Sequence, residues 1–269
     1  MVTLALPRLF APGGSARRSM SMVERNVSAL RGAYWIVVAT GLAEPVLYLL
    51  SIGIGVGSLV GDIALPDGRM VSYASFVAPA MLASSAMTGA LSETTFNFFG
   101  KMKFMRLYDG ILATPVRPME LAFGELAWAM TRGSLYAAAF CVLMVAMGLT
   151  SAWSAVLSFG AAVLVGFAFG GAGMALSTFM RSWQDFDLMA SAQFALFLFS
   201  GTFVPAESYP AVLRWLVEAT PLYRSVHLIR GISTQTWSWV QLLDVAYLLL
   251  LFLAGVALAG RRMGRLLLK

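Results

Sequence analysis

The sequence predicts an all-α integral membrane protein with six transmembrane helices, and three observations carry that prediction. The 269 residues are 59% hydrophobic and only 12% charged, with a mean hydropathy of +0.78, where soluble domains average roughly 45–50% apolar and about 25% charged. The apolar residues are gathered into runs of about 20, the length a bilayer-spanning helix needs. The charges fall between those runs. The net charge of +6 therefore belongs to loops and ends, and no basic soluble domain exists to support nucleic-acid binding.

Taken in order, residues 1–32 carry Arg8, Arg17, Arg18, Arg25 and Arg31 against Glu24. Pro12-Gly13-Gly14 loosens the beginning, and Ser19 to Arg31 is predicted as an amphipathic surface helix leading into the membrane. No positive segment followed by a long apolar core opens the chain, so no cleavable signal peptide is expected. From residue 33 to 61 the only charge is Glu44, which gives a first span at 33–60. Asp62, Pro66, Asp67, Gly68 and Arg69 make a short polar loop, and the uncharged run that follows gives a second span at 71–92. Gly133 to Met180 is 48 residues without a charge, too long for one helix. A turn at Gly148 to Trp153 divides it into spans at 122–148 and 154–180. Arg181, Asp185 and Asp187 form a compact loop before a Phe-rich fifth span at 188–205.

The stretch from Glu207 to Asp244 has a different texture. Ser208 before Pro210, and Thr220 before Pro221, each read as a helix N-cap region with proline in the first turn. The two helices expected there are too short to span. Ala211–Ala219 places Val212, Leu213, Leu216 and Val217 on one side, and Leu222–Arg230 places Leu222, Val226 and Ile229 on one side; both read as interfacial or re-entrant. Trp237 and Trp239 fit an aromatic belt at a membrane edge. A sixth span at 241–260 completes a transmembrane domain over 33–260, and a basic tail at 261–269 follows.

Orientation comes from Lys and Arg. With six spans both termini share a side, and that side collects fourteen basic residues against four on the other. By the positive-inside rule the termini and the loop after span two are cytoplasmic, and the paired short helices face outward.

The loop after span two, Phe98 to Glu120, is the most informative stretch. It holds Lys101, Lys103, Arg106 and Arg117 against Asp109 and Glu120. Phe104, Leu107, Tyr108, Ile111 and Leu112 recur at helical spacing on one face, with Arg106, Asp109 and Gly110 on the other. Thr114-Pro115 ends that helix, because the residue before proline is pushed out of the α region. Pro118 suits the first turn of the next helix, and Glu120 lies near its positive end. The result is a short amphipathic helix and a rigid elbow: either a lipid-surface helix or a handle for a soluble partner.

Other constellations are weaker. No G-x-x-x-x-G-K-[ST] motif is present, so the chain carries no phosphate-cradling loop. One cysteine, Cys141, and one histidine, His227, build neither a disulfide nor a metal cluster. Gly166 and Gly170, like Gly53 and Gly57, are spaced for close helix packing. Glu44, inside a span, either lines a cavity or subunit interface or sits neutral against a neighbouring helix. Glu125 and Arg132, seven residues apart on one helix face, read as anchors at the cytoplasmic membrane edge. Phe194, Phe197, Phe199 and Phe203 suit packing, lipid contact or an apolar substrate.

Three motifs then resemble a known family. LYDGILATPVRPMELAFGELAWA is similar to the loop and third span of type-2 ATP-binding-cassette (ABC) exporter permeases. FSGTFVPAESYPAVLRWLVEATPLYRSVHLIRG is similar to that family's outward segment after span five. EPVLYLLSIGIGVG resembles the first span of the branch that includes nodulation-factor and daunorubicin-type exporters. One departure is Val204-Pro205 where many relatives carry Phe-Pro.

The resemblance implies a six-span subunit that dimerises with an identical or paralogous copy, in the cell's inner or plasma membrane. Each copy would rest on a separate ATPase subunit, two per transporter, which binds the ATP and Mg that this chain does not. It implies that Phe104–Ala113 is the coupling helix, braced by Ser19 to Arg31. The expected polar contacts with the ATPase are Arg106, Asp109 and Arg117. Phe104, Leu107, Tyr108 and Leu112 form the buried face, and Thr114, Pro115 and Pro118 the elbow. Glu44, Tyr48, Phe194 and Phe197 are placed on the substrate path or dimer interface. The expected function is ATP-driven export of an amphipathic drug, lipid or lipid-linked glycan, including efflux of the kind that confers antibiotic resistance. The chain is not expected to be an enzyme or to bind nucleic acid. The alternative is an ion-coupled secondary transporter using Glu44 and Glu125, although no repeated halves of the kind common in such carriers stand out.

Overall fold

The computed structural model describes residues 24–26, 43, 46–47, 49–65, 67–105, 107–114, 116 and 118–267. The first half of the expected 33–60 span, apart from residues 43 and 46, and all but Glu24–Asn26 of the expected surface helix, lie outside them. The described end of the first span is a π-helical segment, Leu49–Val56, running into one α turn, Gly57–Val60.

The polar loop after it is a β-hairpin: β1 (Asp62–Ala64) pairs antiparallel with β2 (Met70–Ser72). Asp67 closes the turn by accepting from the backbone N–H and Nε of Arg69. Helix α1 (Tyr73–Ser92) starts at once, with the Ser72 hydroxyl accepting from the Ser75 N–H as a cap. It does not stop where the apolar run stops. Two π-helical stretches, Glu93–Asn97 and Gly100–Phe104, prolong it into one 32-residue rod, Tyr73–Phe104. The hydroxyls of Thr94 and Thr95 donate back to the carbonyls of Ala90 and Leu91 at 2.7 and 2.6 Å, a local competition that loosens the α ladder.

Four further elements follow the predicted order. Short α2 (Leu107–Leu112) precedes α3 (Pro118–Ala146), which Pro118 opens as expected. Gly148, at φ +70°, turns the chain into α4 (Ala152–Ser177), capped by Ser151. Helix α5 (Asp185–Leu198) covers only 14 residues. That is about 21 Å of helix against a hydrocarbon core of about 30 Å, so the expected fifth span at 188–205 stops short, at Leu198, and leads into a turn through Ser200 to Val204.

The two short helices are found. Helix α6 (Ala211–Ala219) has the predicted bounds, but Pro210 stands at its N-cap without a side-chain bond, so Ser208 is not the cap. Helix α7 (Pro221–Ser233) is capped by Thr220 as predicted, and it is longer than expected. Leu222, Val226, Leu228, Ile229 and Ile232 are all buried, because α7 is wedged against α1, α4 and the last helix. It is re-entrant rather than interfacial. Helix α8 (Val240–Leu267) begins slightly before the predicted sixth span and continues through the basic segment expected as a tail.

Four of the described helical rods are long and apolar enough to cross a membrane: Tyr73–Phe104, Glu120–Ala146, Ala152–Ser177 and Val240–Met263. Helix α4 is central, packing against α1, α3 and α8. Its glycines permit this. A Cβ on Gly170 would come within 2.9 Å of Leu126 on α3, and one on Gly171 within 2.9 Å of the Phe252 carbonyl on α8. The Gly166/Gly170 spacing thus marks close helix contact, as read from sequence. Gly57 meets nothing nearer than 3.5 Å.

Candidate functional site

The bundle has two ends, one carrying the hairpin and α7, the other the basic loop around α2. At the basic end, α2 turns its apolar face inward. Leu107 and Ile111 pack on the core, and Tyr108 is fully buried, its ring 5.2 Å from that of Phe98. Asp109, Gly110 and Thr114 are exposed. Tyr108, expected on the buried face of this helix, anchors α2 to its own bundle through its ring. Burial, with the Glu125 carboxylate nearby, pushes the phenol well above its usual range and keeps it neutral.

Phe104 lies outside α2. It ends the first rod, is 58% exposed, and stacks on Trp183 at 4.9 Å. Phe99 and Phe186 join the same cluster, which ties the end of that rod to the loop before α5. Of the remaining predicted residues, Arg106, Pro115, Arg117, Glu44 and Tyr48 lie outside the described residues. Leu112 closes α2 and Pro118 opens α3. The helix stop at Ala113-Thr114 is present, with the Thr114 hydroxyl donating to the Ile111 carbonyl at 2.6 Å.

Behind α2 lies an ionic node. Glu125, buried on α3, accepts from Lys101 Nζ at 2.5 Å and from Arg25 Nη2 at 2.8 Å. The N-terminal segment, the first rod and α3 thus meet at one carboxylate. Further along the same pair of helices, Arg132 pairs with Glu93 and donates to the Tyr136 hydroxyl at 3.1 Å. Glu125 and Arg132 do share a face, as their spacing predicts. Their partners, Lys101 and Glu93, were not singled out in the sequence. The available signal was a complementary one: opposite charges eight apart on one helix and seven apart on an antiparallel neighbour.

Beside the Glu93–Arg132 pair, α1, α3 and α5 enclose a cavity of about 410 Å³. Phe194 and Phe197, expected on the substrate path, line it together with Met81, Ser84, Thr88 and Gln193. Its lining is mixed: α5 contributes Phe194, Phe197 and Gln193, and α1 methionines together with Ser84, Ser85 and Thr88.

At the hairpin end Asp244, fully buried on α8, sits 3.1 Å from Arg224 Nη1 and 2.5 Å from His227 Nδ1. Arg230 reaches the other way: it lies 3.7 Å over the Phe76 ring and donates to the carbonyls of Phe76 and Gly201 at 3.1 and 2.8 Å. These bonds fix α7 between α1 and α8, above a second cavity of about 750 Å³ lined by Tyr223, Arg230, Trp237 and Gln241. Asp244 was not singled out in the sequence.

Long apolar rods, a polar connector folded back onto them and a re-entrant helix at the far end define a multi-pass membrane protein of the transporter class. Comparison gives the family: residues 19–233 match the ABC-2 type transporter family, and the chain belongs to it. It is therefore a membrane component of an ABC transporter. The chain is 34% identical over 222 residues to nodulation protein J of Rhizobium leguminosarum bv. trifolii, covering 82% of each chain. It is 32% identical to nodulation protein J of Rhizobium leguminosarum bv. viciae, over 78% of this chain and 80% of that one. It is 29% identical to nodulation protein J of Bradyrhizobium diazoefficiens, over 90% and 92%.

Proposed function

We propose that this chain is the permease of an ATP-driven exporter that moves an amphipathic or lipid-like substrate out of the cytoplasm or inner leaflet. Two copies pair, and each is worked by a separate ATPase subunit through the 98–120 loop. The basic end is cytoplasmic, and six spans place both termini there. The observation that carries this reading is the two-faced placement of α2. Its apolar face is locked into the bundle through Tyr108 while Asp109 and Gly110 are presented outward. A push on the exposed face travels to α3 through the elbow and to the first rod through the Glu125 node, because none of these contacts yields without exposing buried groups.

The cavity between α1, α3 and α5 offers the substrate a mixed wall of the kind that binds amphiphiles, with Phe194 and Phe197 on its α5 side. Helix α5 has no buried residue, which suits a surface completed by a second copy. The ion-coupled alternative is weakened by Glu125, whose charge is already matched by Lys101 and Arg25.

The test is whether a neighbouring reading frame encodes a soluble ATPase, and whether that protein co-purifies and reconstitutes with this chain. Replacing Arg106 and Asp109 together with alanine is expected to reduce substrate-stimulated ATP hydrolysis at least tenfold (about 1.4 kcal/mol of coupling) while the protein still reaches the membrane. Unchanged stimulation in the double variant would remove α2 from the coupling path.

A further inference from the structure

The cavity between α1, α3 and α5 carries a specificity that the family assignment does not supply. Its charged lining is one matched pair, Glu93 and Arg132. The two charges meet each other directly across the cavity wall, and the Arg132 guanidinium also donates to the Tyr136 hydroxyl at 3.1 Å. Glu93 lies twenty residues along the rod from Tyr73, so the charged wall is about 30 Å from the hairpin end, close to the basic end. Met81 and Phe197 extend the lining toward the hairpin end.

We propose that this cavity binds amphiphiles whose head is electroneutral, and that it discriminates against heads of either net charge; this rests on the exporter reading above. The physical reason is the pair itself. An anionic head that takes Arg132 strands the Glu93 carboxylate, and a cationic head that takes Glu93 strands the guanidinium, and an unmatched charge in a low-dielectric wall is strongly unfavourable. A non-ionic head leaves the pair intact. A zwitterionic head parts the pair but re-matches both charges. The matched pair thus sets the head, and the apolar side chains of α1 and α5 accept the tail.

The experiment uses the full chain in peptidiscs, free of added lipid, with Ser85→Cys as reporter in a Cys141→Ser background. Ser85 lines the cavity. The readout is protection of that cysteine from a maleimide by single-tail probes of equal length: dodecyl maltoside, dodecylphosphocholine, dodecyl phosphate and dodecylammonium, each below its micellar concentration. Both neutral-headed probes are expected to protect at concentrations about tenfold lower than either charged probe. Glu93→Gln is expected to turn the preference toward dodecyl phosphate, and Arg132→Gln toward dodecylammonium, each by about tenfold, the factor that ~1.4 kcal/mol carries. The exchanged variant, Glu93→Arg with Arg132→Glu, should restore the neutral preference and controls for folding. Strongest protection by dodecyl phosphate in the unmodified pair, or a preference unmoved in both single variants, would overturn the proposal. Because no ATPase is present, binding is read independently of coupling. Selective protection with failed ATPase stimulation would sink the exporter reading alone.

Discussion

Glu125 is the residue on which the basic end depends. Its carboxylate meets Lys101 and Arg25 with almost no solvent. Glu125→Gln keeps the shape and removes the charge. The expected loss is about 2–3 kcal/mol, below the full value for a buried pair because both cations keep partial solvent access. It should appear as a lowered thermal midpoint of the purified protein in detergent. At the start of α5 the exposed Asp185 accepts from the N–H groups of Arg181 and Ser182. These bonds hold its carboxyl below the ordinary range. Its stabilisation is present above the unfolded carboxyl value and is lost as pH falls through the folded one. Hydrogen exchange over residues 181–187, corrected for its intrinsic pH dependence, should quicken at acid pH in the native protein, and Asp185→Asn should abolish that acid step. Residue-level reading of the sequence was right where spacing alone decided, as with Glu125 and Arg132 on one face. It missed Glu93, Lys101 and Asp244, because an ion pair between helices depends on which helices are neighbours, and one chain's periodicity does not encode that.

Among elements, the α4 contacts make the sharpest contrast. Gly171→Ala drives a methyl against the Phe252 backbone, which cannot retreat without moving α8, and is expected to destabilise by about 1–3 kcal/mol. Gly160→Ala, on the same helix with nothing within 4 Å, should instead be neutral or stabilising by up to about 1 kcal/mol. Parallel thermal unfolding of the two variants checks the difference. The long helices were legible because hydropathy reports length. The limits of the first rod were not, because Glu93 and Lys101 look like the end of a span until their partners on α3 are in place. The depth of α7 was left open between interfacial and re-entrant for the same reason. Its partners decide: Arg224 and His227 bond Asp244, and Arg230 bonds carbonyls of α1 and the α5 turn. The β-hairpin escaped notice because three-residue strands leave almost no periodicity.

For the molecule as a whole, the Lys and Arg distribution gives an orientation that labelling can check. Asp109→Cys and Gln235→Cys, each exposed and each placed in a Cys141→Ser background, should react with a membrane-impermeant maleimide from opposite sides. Gln235 is expected to react in intact cells, and Asp109 only after the inner face is opened. Reaction of Asp109→Cys in intact cells, with Gln235→Cys reacting only after opening, would invert the arrangement and with it the site proposed for the ATPase. Leu107 and Tyr108, read from their spacing as part of the buried face of the short helix, pack on their own bundle.

The two ion pairs between the first rod and α3 stand about 12 Å apart along the helices, at 1.5 Å per residue, and act as cross-braces of a truss. Sliding one beam past the other would shear both braces together, so the pair resists slip far better than either contact alone. An impulse delivered at the basic end therefore reaches the hairpin end as travel of a stiff frame, with little lost to flexure on the way.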